Sequence, residues 1–264
     1  MKTTILTGIL AAAAGCGALM AQPAQVQQGQ APPPAQPKVK SNAEAQAVNA
    51  MIQARTGGPD AIIKAADDLL TKFADTEFKE MAYTFEAQAF QQKGDYARAE
   101  VFDEDILKMD PKNADASLQL GALIINHTGE NDLDKEEKLT KAEKLLNQTM
   151  EDVKVAAKPN PQITDEQWEG YKKSSIAEAQ SDLGRAAMLR KKYDDAIANY
   201  KAANDTDPQP AFRAYLAQAY QKAGKNDEAL AVCDKLLSDP QLNPTIKQYV
   251  QNVQRAATVA KGAK

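Results

Sequence analysis

The sequence contains few of the residues from which catalytic and metal sites are usually built: it has one histidine and two cysteines among 264 residues. The histidine, His127, has no cysteine near it and cannot form a zinc site alone. There is no glycine-rich phosphate loop after a strand, no nucleophile elbow and no cysteine–histidine pair. Adjacent carboxylates such as Asp67 and Asp68 point in different directions on a helix, so they do not form an acid–base pair. We therefore predict a non-enzymatic protein with no cofactor and no bound metal.

An acidic segment, 127–137, comes nearest to a metal motif. Asp132, Asp134 and Glu136 alternate as they do at the start of a calcium-binding loop. The glycine that such a loop needs for its sharp turn is absent, because Glu137 stands near that point. The segment therefore predicts a solvated helix start and no metal site.

The chain has no net positive charge, and aromatic residues are scarce. The formal net charge is −4, and the isoelectric point is about 5.3. Nucleic-acid binding requires a basic face that replaces counterions, so this charge argues against nucleic acid as a partner. Aromatic residues make up 6% of the chain and apolar residues 43%. This composition suits helices that pack through alanine and argues against a β-sandwich.

The N-terminal residues 1–21 have the pattern of a secretory signal peptide. Lys2 supplies a positive charge, residues 5–14 form an apolar run, and residues 18–21 form a small-residue exit. The apolar run is too short to span a membrane comfortably. We therefore predict an exported protein that is periplasmic or secreted.

Two processing routes stay open for this segment. Cleavage near Ala18 or Ala21 would release a soluble protein. Alternatively, residues 13–16 resemble a bacterial lipoprotein box, which would place a lipid on Cys16 and give an outer-membrane lipoprotein. Ala13 stands where that box usually has a bulky apolar residue, and residues 17–20 stay apolar where a lipoprotein normally turns polar. An uncleaved anchor is the third alternative.

Residues 22–40 are rich in proline, glutamine and alanine. They offer almost nothing to bury, so we predict a disordered linker. Residues 41–264 are predicted to form a helical repeat domain.

This domain repeats itself along the chain. Leu183-Gly184 is followed by an aromatic residue, two small residues and a proline, at Tyr193, Ala196, Ala203 and Pro208. About 33 residues later the pattern recurs from Leu216-Ala217 through Ala229 to Pro240. A period of this length is typical of stacked helix pairs.

Small residues recur where the two helices of a pair must pass at close range. A larger side chain there would force the helix axes apart. The positions that we assign to this packing are Ala87, Ala99, Gly121, Ala142, Gly184, Ala196, Ala217 and Ala229. Cys233 falls where Tyr200 sits in the preceding repeat, so we predict a buried core residue there and not a reactive thiol.

The pattern resembles that of the tetratricopeptide repeat (TPR) family, most closely over 183–208 and 216–240. A third copy, 80–111, departs at Asp103, where an aromatic is usual and where Phe102 or Ile106 would fill the space. The resemblance implies an all-α fold, an α–α superhelix (TPR-like solenoid) of four to five helix pairs with a C-terminal capping helix. The expected pairs are 43–74, 80–111, 114–153, 165–208 and 210–240, and the expected cap is 244–261.

The resemblance also implies that the first helices of the pairs line a concave groove. Carried over, this groove presents Thr84, Gln88, Gln91, Gln92, Asn126, Arg185, Met188, Gln218, Gln221 and Lys222, together with Leu118, Ala122, Ile125, Ser181 and Ala214. Some family members hold a peptide carboxylate with clustered basic residues. Only Arg185 and Lys222 are basic here, so we expect no such clamp and a groove of mixed amide and apolar character.

The implied role is a protein–protein interaction scaffold of the bacterial cell envelope that binds a protein or peptide not yet identified. A lipid-anchored subunit of an outer-membrane or cell-wall assembly is the alternative, and an array that assembles into oligomers is a third. Trp168 and Tyr171, in the long helix expected to begin near Asp165, either pack against the preceding helix or form an exposed contact patch.

Overall fold

The computed structural model describes residues 37–263. The predicted signal peptide, Cys16 and most of the predicted linker lie outside these residues. Residues 37–263 form eleven helices and no strand: α1 (Asn42–Ala54), α2 (Pro59–Lys72), α3 (Lys79–Gln92), α4 (Tyr96–Met109), α5 (Ala114–Asn126), α6 (Lys135–Val155), α7 (Asp165–Leu189), α8 (Tyr193–Thr206), α9 (Pro210–Lys222), α10 (Asn226–Leu237) and α11 (Pro244–Gly262). None of these helices is both long and apolar enough to cross a lipid bilayer.

Each helix packs against the next one along the chain. In addition, α5 packs on α7 and α9 packs on α11, so first helices of neighbouring pairs meet. Five pairs, from α1–α2 to α9–α10, therefore stack in sequence, and α11 closes the array. The predicted fold class, an all-α solenoid of helix pairs with a C-terminal capping helix, is confirmed.

The turns inside α3–α4, α7–α8 and α9–α10 share one geometry. Gly94 and Gly224 both have φ +74°, and Lys191 has φ +60° at the same place. The N–H of each donates to the carbonyl three residues back, and the next N–H donates five residues back, at 2.9 to 3.1 Å. These two bonds satisfy the last carbonyl groups of the first helix. The three pairs therefore reverse the chain in the same way.

The α5–α6 connection is longer, from residue 127 to residue 134. His127 stacks on Tyr96 of α4, with ring centroids 3.6 Å apart. The Asp132 carboxylate accepts a hydrogen bond from the N–H of Gly129 at 2.9 Å, and Asp134 pairs with Lys138 at 3.0 Å. The acidic segment thus leads into α6 with its charges engaged by the backbone and by a lysine.

Small residues allow the helices of a pair to approach closely. All eight positions assigned to this packing are buried. A Cβ atom on Gly184 would lie 2.7 Å from the ring of Tyr200, which is itself buried in α8. A Cβ atom on Gly121 would lie 3.0 Å from Leu146 of α6. Two pairs are therefore closed by a large side chain seated on a glycine.

The α3–α4 pair fills its core in two ways. Ile106 is 2% exposed, and Phe102 stacks on Phe90 with centroids 5.5 Å apart, so both residues contribute to the core of this pair. Asp103 is buried as well, and its carboxylate accepts a hydrogen bond from Gln119 of α5 at 3.1 Å. Burial raises the pKa of Asp103 to about 8.

The last residues of the predicted linker lie within the described part. The N–H of Lys38 donates to Glu77 at 2.9 Å, and the ammonium of Lys40 pairs with Asp75 at 2.7 Å. Ser41 then caps α1 by accepting a hydrogen bond from the N–H of Glu44. The chain therefore enters α1 in contact with the α2–α3 connection.

Candidate peptide-binding face

The odd-numbered helices α3, α5, α7 and α9 form the surface that we call the inner face. Direct side-chain contacts connect these helices. Glu80 of α3 contacts Asn113, which caps α5, and two pairs join α5 to α7: Asp115–Tyr171 and Asn126–Arg185. Tyr215 of α9 contacts Tyr249 of α11. The long helix α7 is central because it contacts both α5 and the second helix of its own pair. Its capping box, between Thr164 and Gln167, fixes where it begins.

The predicted groove residues differ in exposure. Gln92, Asn126 and Lys222 are exposed. The half-buried members are Thr84, Gln88, Gln91, Arg185, Met188, Gln218 and Gln221, joined by Leu118 and Ala122, while Ile125, Ser181 and Ala214 are buried. Of the whole set, the structure joins Asn126 and Arg185 by a hydrogen bond between their side chains.

Three members of the predicted groove set are bonded, packed or buried within the protein. The hydroxyl of Thr84 donates to the carbonyl of Glu80 at 2.9 Å, within α3. Met188 packs against a buried cluster that includes Tyr200. The amide nitrogen of Gln91 is buried and has no hydrogen-bond partner among residues 37–263. Thr84 and Met188 therefore contribute partly to packing, whereas the side-chain amide of Gln91 keeps an unused hydrogen-bond donor.

Arg185, the arginine of the predicted groove, is already paired. Its guanidinium lies 3.0 Å from the carboxylate of Asp182, one turn earlier on α7, and also donates to Asn126. The Asp182 side chain is only 14% exposed. Burial raises the pKa of Asp182, while the charge of Arg185 acts in the opposite direction. The arginine therefore neutralises a carboxylate of its own helix.

Further carboxyl groups lie on the same face. Burial raises the pKa of Glu178 on α7, and the neighbouring Asp182 and Asp115 carboxylates raise it further. Burial likewise raises the pKa of Glu80 on α3, with a contribution from Asp110. These carboxyl groups are close enough to repel one another, so the middle of the inner face is acidic.

An aromatic pair borders these carboxyl groups. Trp168 stacks on Tyr171 with ring centroids 4.8 Å apart, and its indole N–H donates to the carbonyl of Ala156 at 3.3 Å. The hydroxyl of Tyr171 donates to Asp115 at 2.5 Å. Both rings are half-buried. They therefore pack against the beginning of the α6–α7 connection and against α5 while keeping an exposed edge.

The acidic residues were missing from the predicted groove although a sequence signal for them exists. Asp115 and Glu178 each stand six residues before the glycine of their repeat, Gly121 and Gly184. The two positions are therefore equivalent, and both fall on the side of the helix that faces away from the pair. Aligning the repeats position by position would have placed two carboxylates in the groove.

The inner face exposes groups that can form hydrogen bonds and ion pairs. Across residues 37–263 there is no group of three or more histidine, cysteine, aspartate or glutamate side chains arranged to hold a metal. The thiol of Cys233 is fully buried, and burial raises its pKa to about 11. Since the thiolate is the reactive form of cysteine, this residue serves the core. What remains exposed on the inner face are amides, carboxylates and aromatic edges.

Comparison with known proteins agrees with the fold. Residues 177–250 match a family model described as tetratricopeptide repeat. The chain is similar in structure to TTC0263, a thermophilic TPR protein of Thermus thermophilus, with 19% identity, a TM-score of 0.50 and coverage of 80% of this chain and 98% of that one. It is also similar to the MamA RS-1 ArsTM double mutant, with 16% identity, a TM-score of 0.55 and coverage of 83% and 98%. No curated protein sequence matches the chain.

Proposed function

Residues 177–250 are tetratricopeptide repeats in a chain with the fold of that family, and from this premise we propose that the protein is a non-enzymatic adaptor of the bacterial cell envelope. It holds a segment of another protein on its inner face. Repeats of this kind generally serve as scaffolds for protein–protein interaction, because stacked helix pairs create an extended binding surface. The envelope location rests on the signal-peptide pattern of residues 1–21.

One observation carries the binding proposal. The inner face presents amide side chains on α3 and α9 that are at least partly exposed: Gln88, Gln92, Gln218 and Gln221. Gln88 and Gln218 hold equivalent positions in their repeats. Amides both donate and accept hydrogen bonds, so they can bind the backbone of an extended segment or the polar side of a helix. Buried apolar clusters that include Ala82 and Phe90 of α3 and Leu216 of α9 hold these helices in place.

A capture experiment tests this proposal. The full chain is immobilised and exposed to a bacterial envelope extract, beside a variant in which Arg185, Gln218 and Gln221 are all changed to alanine. A matched control changes one cation and two amides on even-numbered helices, Lys144, Gln148 and Asn199, to alanine. We expect the inner-face variant to lose its captured protein and the control to retain it.

Circular dichroism of both variants keeps this result interpretable, since each must retain the helical content of the parent chain. If the folded inner-face variant captures the same protein as the parent, the inner face is not the binding surface. If the control loses capture as well, binding resides elsewhere on the array.

A second candidate is a lipid-anchored subunit of an outer-membrane or cell-wall assembly, favoured by Cys16 at the end of Ala13-Ala14-Gly15-Cys16. Mass spectrometry of the mature N-terminus distinguishes the two candidates. A diacylated Cys16 supports the anchored subunit, whereas an unmodified N-terminus near residue 19 or 22 supports the released adaptor. Retention of the whole leader would contradict both.

A further inference from the structure

The inner face concentrates negative charge at its centre, where α5 packs on α7 and Glu80 of α3 reaches the residue that caps α5. Four carboxyl groups belong to this stretch: Glu80, Asp115, Glu178 and Asp182. Asp182 is neutralised by Arg185 at 3.0 Å. The other three have only uncharged hydrogen-bond partners, which are the amide of Asn113, the hydroxyl of Tyr171 and the hydroxyl of Ser174. The chain therefore leaves three negative charges without a cation here.

The spacing along α7 explains why lysines of the same helix do not compensate. Tyr171, Glu178, Asp182 and Arg185 recur at intervals that keep them on one side of the helix. Lys173 lies two residues beyond Tyr171 and therefore points to the opposite side. Lys172 is paired with Glu169 at 2.5 Å. The basic residues of α7 are thus directed away from the acidic stretch or already engaged.

Carboxylates of like charge lie together on this stretch in the free protein. Desolvation is the main reason why the pKa values of Glu80 and Glu178 are raised, and repulsion between carboxylates adds to it. A cation placed on this stretch would relieve the repulsion, because it attracts the carboxylates on both α5 and α7. The half-buried rings of Trp168 and Tyr171 stand beside the carboxylates and border the place of the cation.

We propose that the occupant of the inner face is a segment of another protein that carries lysine or arginine, with a cationic side chain set between Asp115 and Glu178. This inference rests on the proposed function, which supplies the face, and adds the chemistry of the partner. Amides from α3 and α9 would bind the flanking backbone on either side. The specificity for a basic partner then comes from α5 and α7, at the middle of the array.

Fluorescence anisotropy with three labelled peptides of equal length tests the inference on the purified full chain. The peptides alternate alanine with lysine, with glutamine or with glutamate. We expect the lysine peptide to bind and the glutamate peptide not to bind, with affinity for lysine that weakens between about 0.05 M and 0.3 M salt as screening increases. The double variant Asp115→Asn, Glu178→Gln should weaken the lysine peptide about tenfold or more.

A charge-matched control separates this site from simple attraction to an acidic protein. The variant Asp205→Asn, Glu151→Gln removes the same two charge types from exposed positions on α8 and α6. It should bind the lysine peptide as the parent chain does. An equal loss in both double variants would mean attraction by net charge alone, and the inference would fail.

The remaining outcomes separate the partner chemistry from the proposed function. If the glutamine peptide binds as well as the lysine peptide, and the Arg185, Gln218, Gln221 triple variant abolishes binding, the face is a docking site but not one for cations. If none of the peptides binds the parent chain while envelope capture still depends on the inner face, the basic-partner inference is wrong and the adaptor proposal stands.

Discussion

At the scale of single residues, Glu86 is the least expected member of the core. It lies on α3, is 1% exposed, and its Oε2 atom has no hydrogen-bond partner among residues 37–263. Burial raises its pKa to about 8, and the nearby Asp67 carboxylate adds to the shift. A carboxyl group that stays protonated near neutral pH makes the stability of this repeat depend on pH.

The sign of this dependence follows from proton counting. Above pH 4.5 the unfolded chain loses the proton of Glu86, while the folded chain keeps it up to about pH 8. The free energy of unfolding therefore falls as pH rises through this window and levels off above it. Glu86→Gln removes the effect, so at pH 8 it should raise the free energy of unfolding by roughly 2–4 kcal/mol.

Urea unfolding of the parent and of Glu86→Gln at pH 4 and pH 8 measures this difference. At pH 4 the two chains should differ by less than about 1 kcal/mol, because both states of the parent are then protonated. Glu137→Gln, at an exposed position on α6, controls for the loss of a carboxyl group. A Glu86→Gln difference that is equal at both pH values would contradict the assignment.

Lys191 is a second residue that should lower the free energy of unfolding, in this case through its backbone conformation. It has φ +60°, where the equivalent turns have Gly94 and Gly224. A side chain in this left-handed region costs about 1 kcal/mol or more, and glycine avoids that cost. Lys191→Gly should therefore raise the free energy of unfolding by roughly 0.5–1 kcal/mol, as measured by urea unfolding.

The control for Lys191→Gly is the same substitution in a helix interior. Lys144→Gly, at an exposed position within α6, should lower the free energy of unfolding by about 0.5–1 kcal/mol. If both variants lose stability by the same amount, the backbone at Lys191 carries no strain. The ion pair between Lys191 and Glu130, at 3.5 Å and well exposed, is too weak to reverse the comparison.

At the scale of helix pairs, two glycines on α7 should respond oppositely to the same change. A Cβ atom on Gly184 would lie 2.7 Å from the Tyr200 ring, whereas a Cβ atom on Gly170 would have nothing within 4 Å. Gly184→Ala should therefore lower the free energy of unfolding by roughly 1–3 kcal/mol through overpacking. Gly170→Ala should raise it by about 0.5–1 kcal/mol, because alanine favours the helix.

Thermal and urea unfolding of these two variants report the packing of the α7–α8 pair directly. The two substitutions change the same helix by the same methyl group, so helix propensity cannot explain opposite signs. If Gly184→Ala were also stabilising, Tyr200 would be able to move away, and the close approach of α7 and α8 would not depend on glycine.

The sequence predicted the helix pairs well wherever the residue types at fixed spacing determined them. The repeat period, with its glycines and alanines, was sufficient to predict the fold class, because small residues at fixed spacing require close helix pairs. The turn at Lys191 could not be predicted in the same way, since lysine has no preference for positive φ. Lys191 adopts the positive φ because it holds the turn position that Gly94 and Gly224 hold in the other repeats.

At the scale of the whole molecule, the inner face shows where sequence reasoning stops. Equivalent positions could be carried from repeat to repeat, which gave the amides and Arg185. Repeat alignment would also have given Asp115 and Glu178, but the partners of these carboxylates depend on contacts between repeats, such as Asp115 with Tyr171, 56 residues later. Contacts of that separation leave no periodic signal in a chain read alone, so the structure was needed to recognise which groups the carboxylates meet.

The array also predicts how far a local change should spread. Each helix contacts its sequence neighbours, while direct contacts beyond them are limited to adjacent pairs such as α5 with α7. Stability in such an array is approximately a sum of repeat terms and nearest-neighbour interfaces.

Gly184→Ala should therefore accelerate amide hydrogen exchange in α7 and α8, and to a lesser degree in α6 and α9. Protection in α1 and α2 should remain at the parent level, because α7 and α8 make their main contacts with α5, α6 and α9. Gly170→Ala supplies the control, with exchange in α7 unchanged or slower. A uniform loss of protection from α1 to α11 in Gly184→Ala would mean that the array unfolds as one unit, and the nearest-neighbour description would then be wrong for this protein.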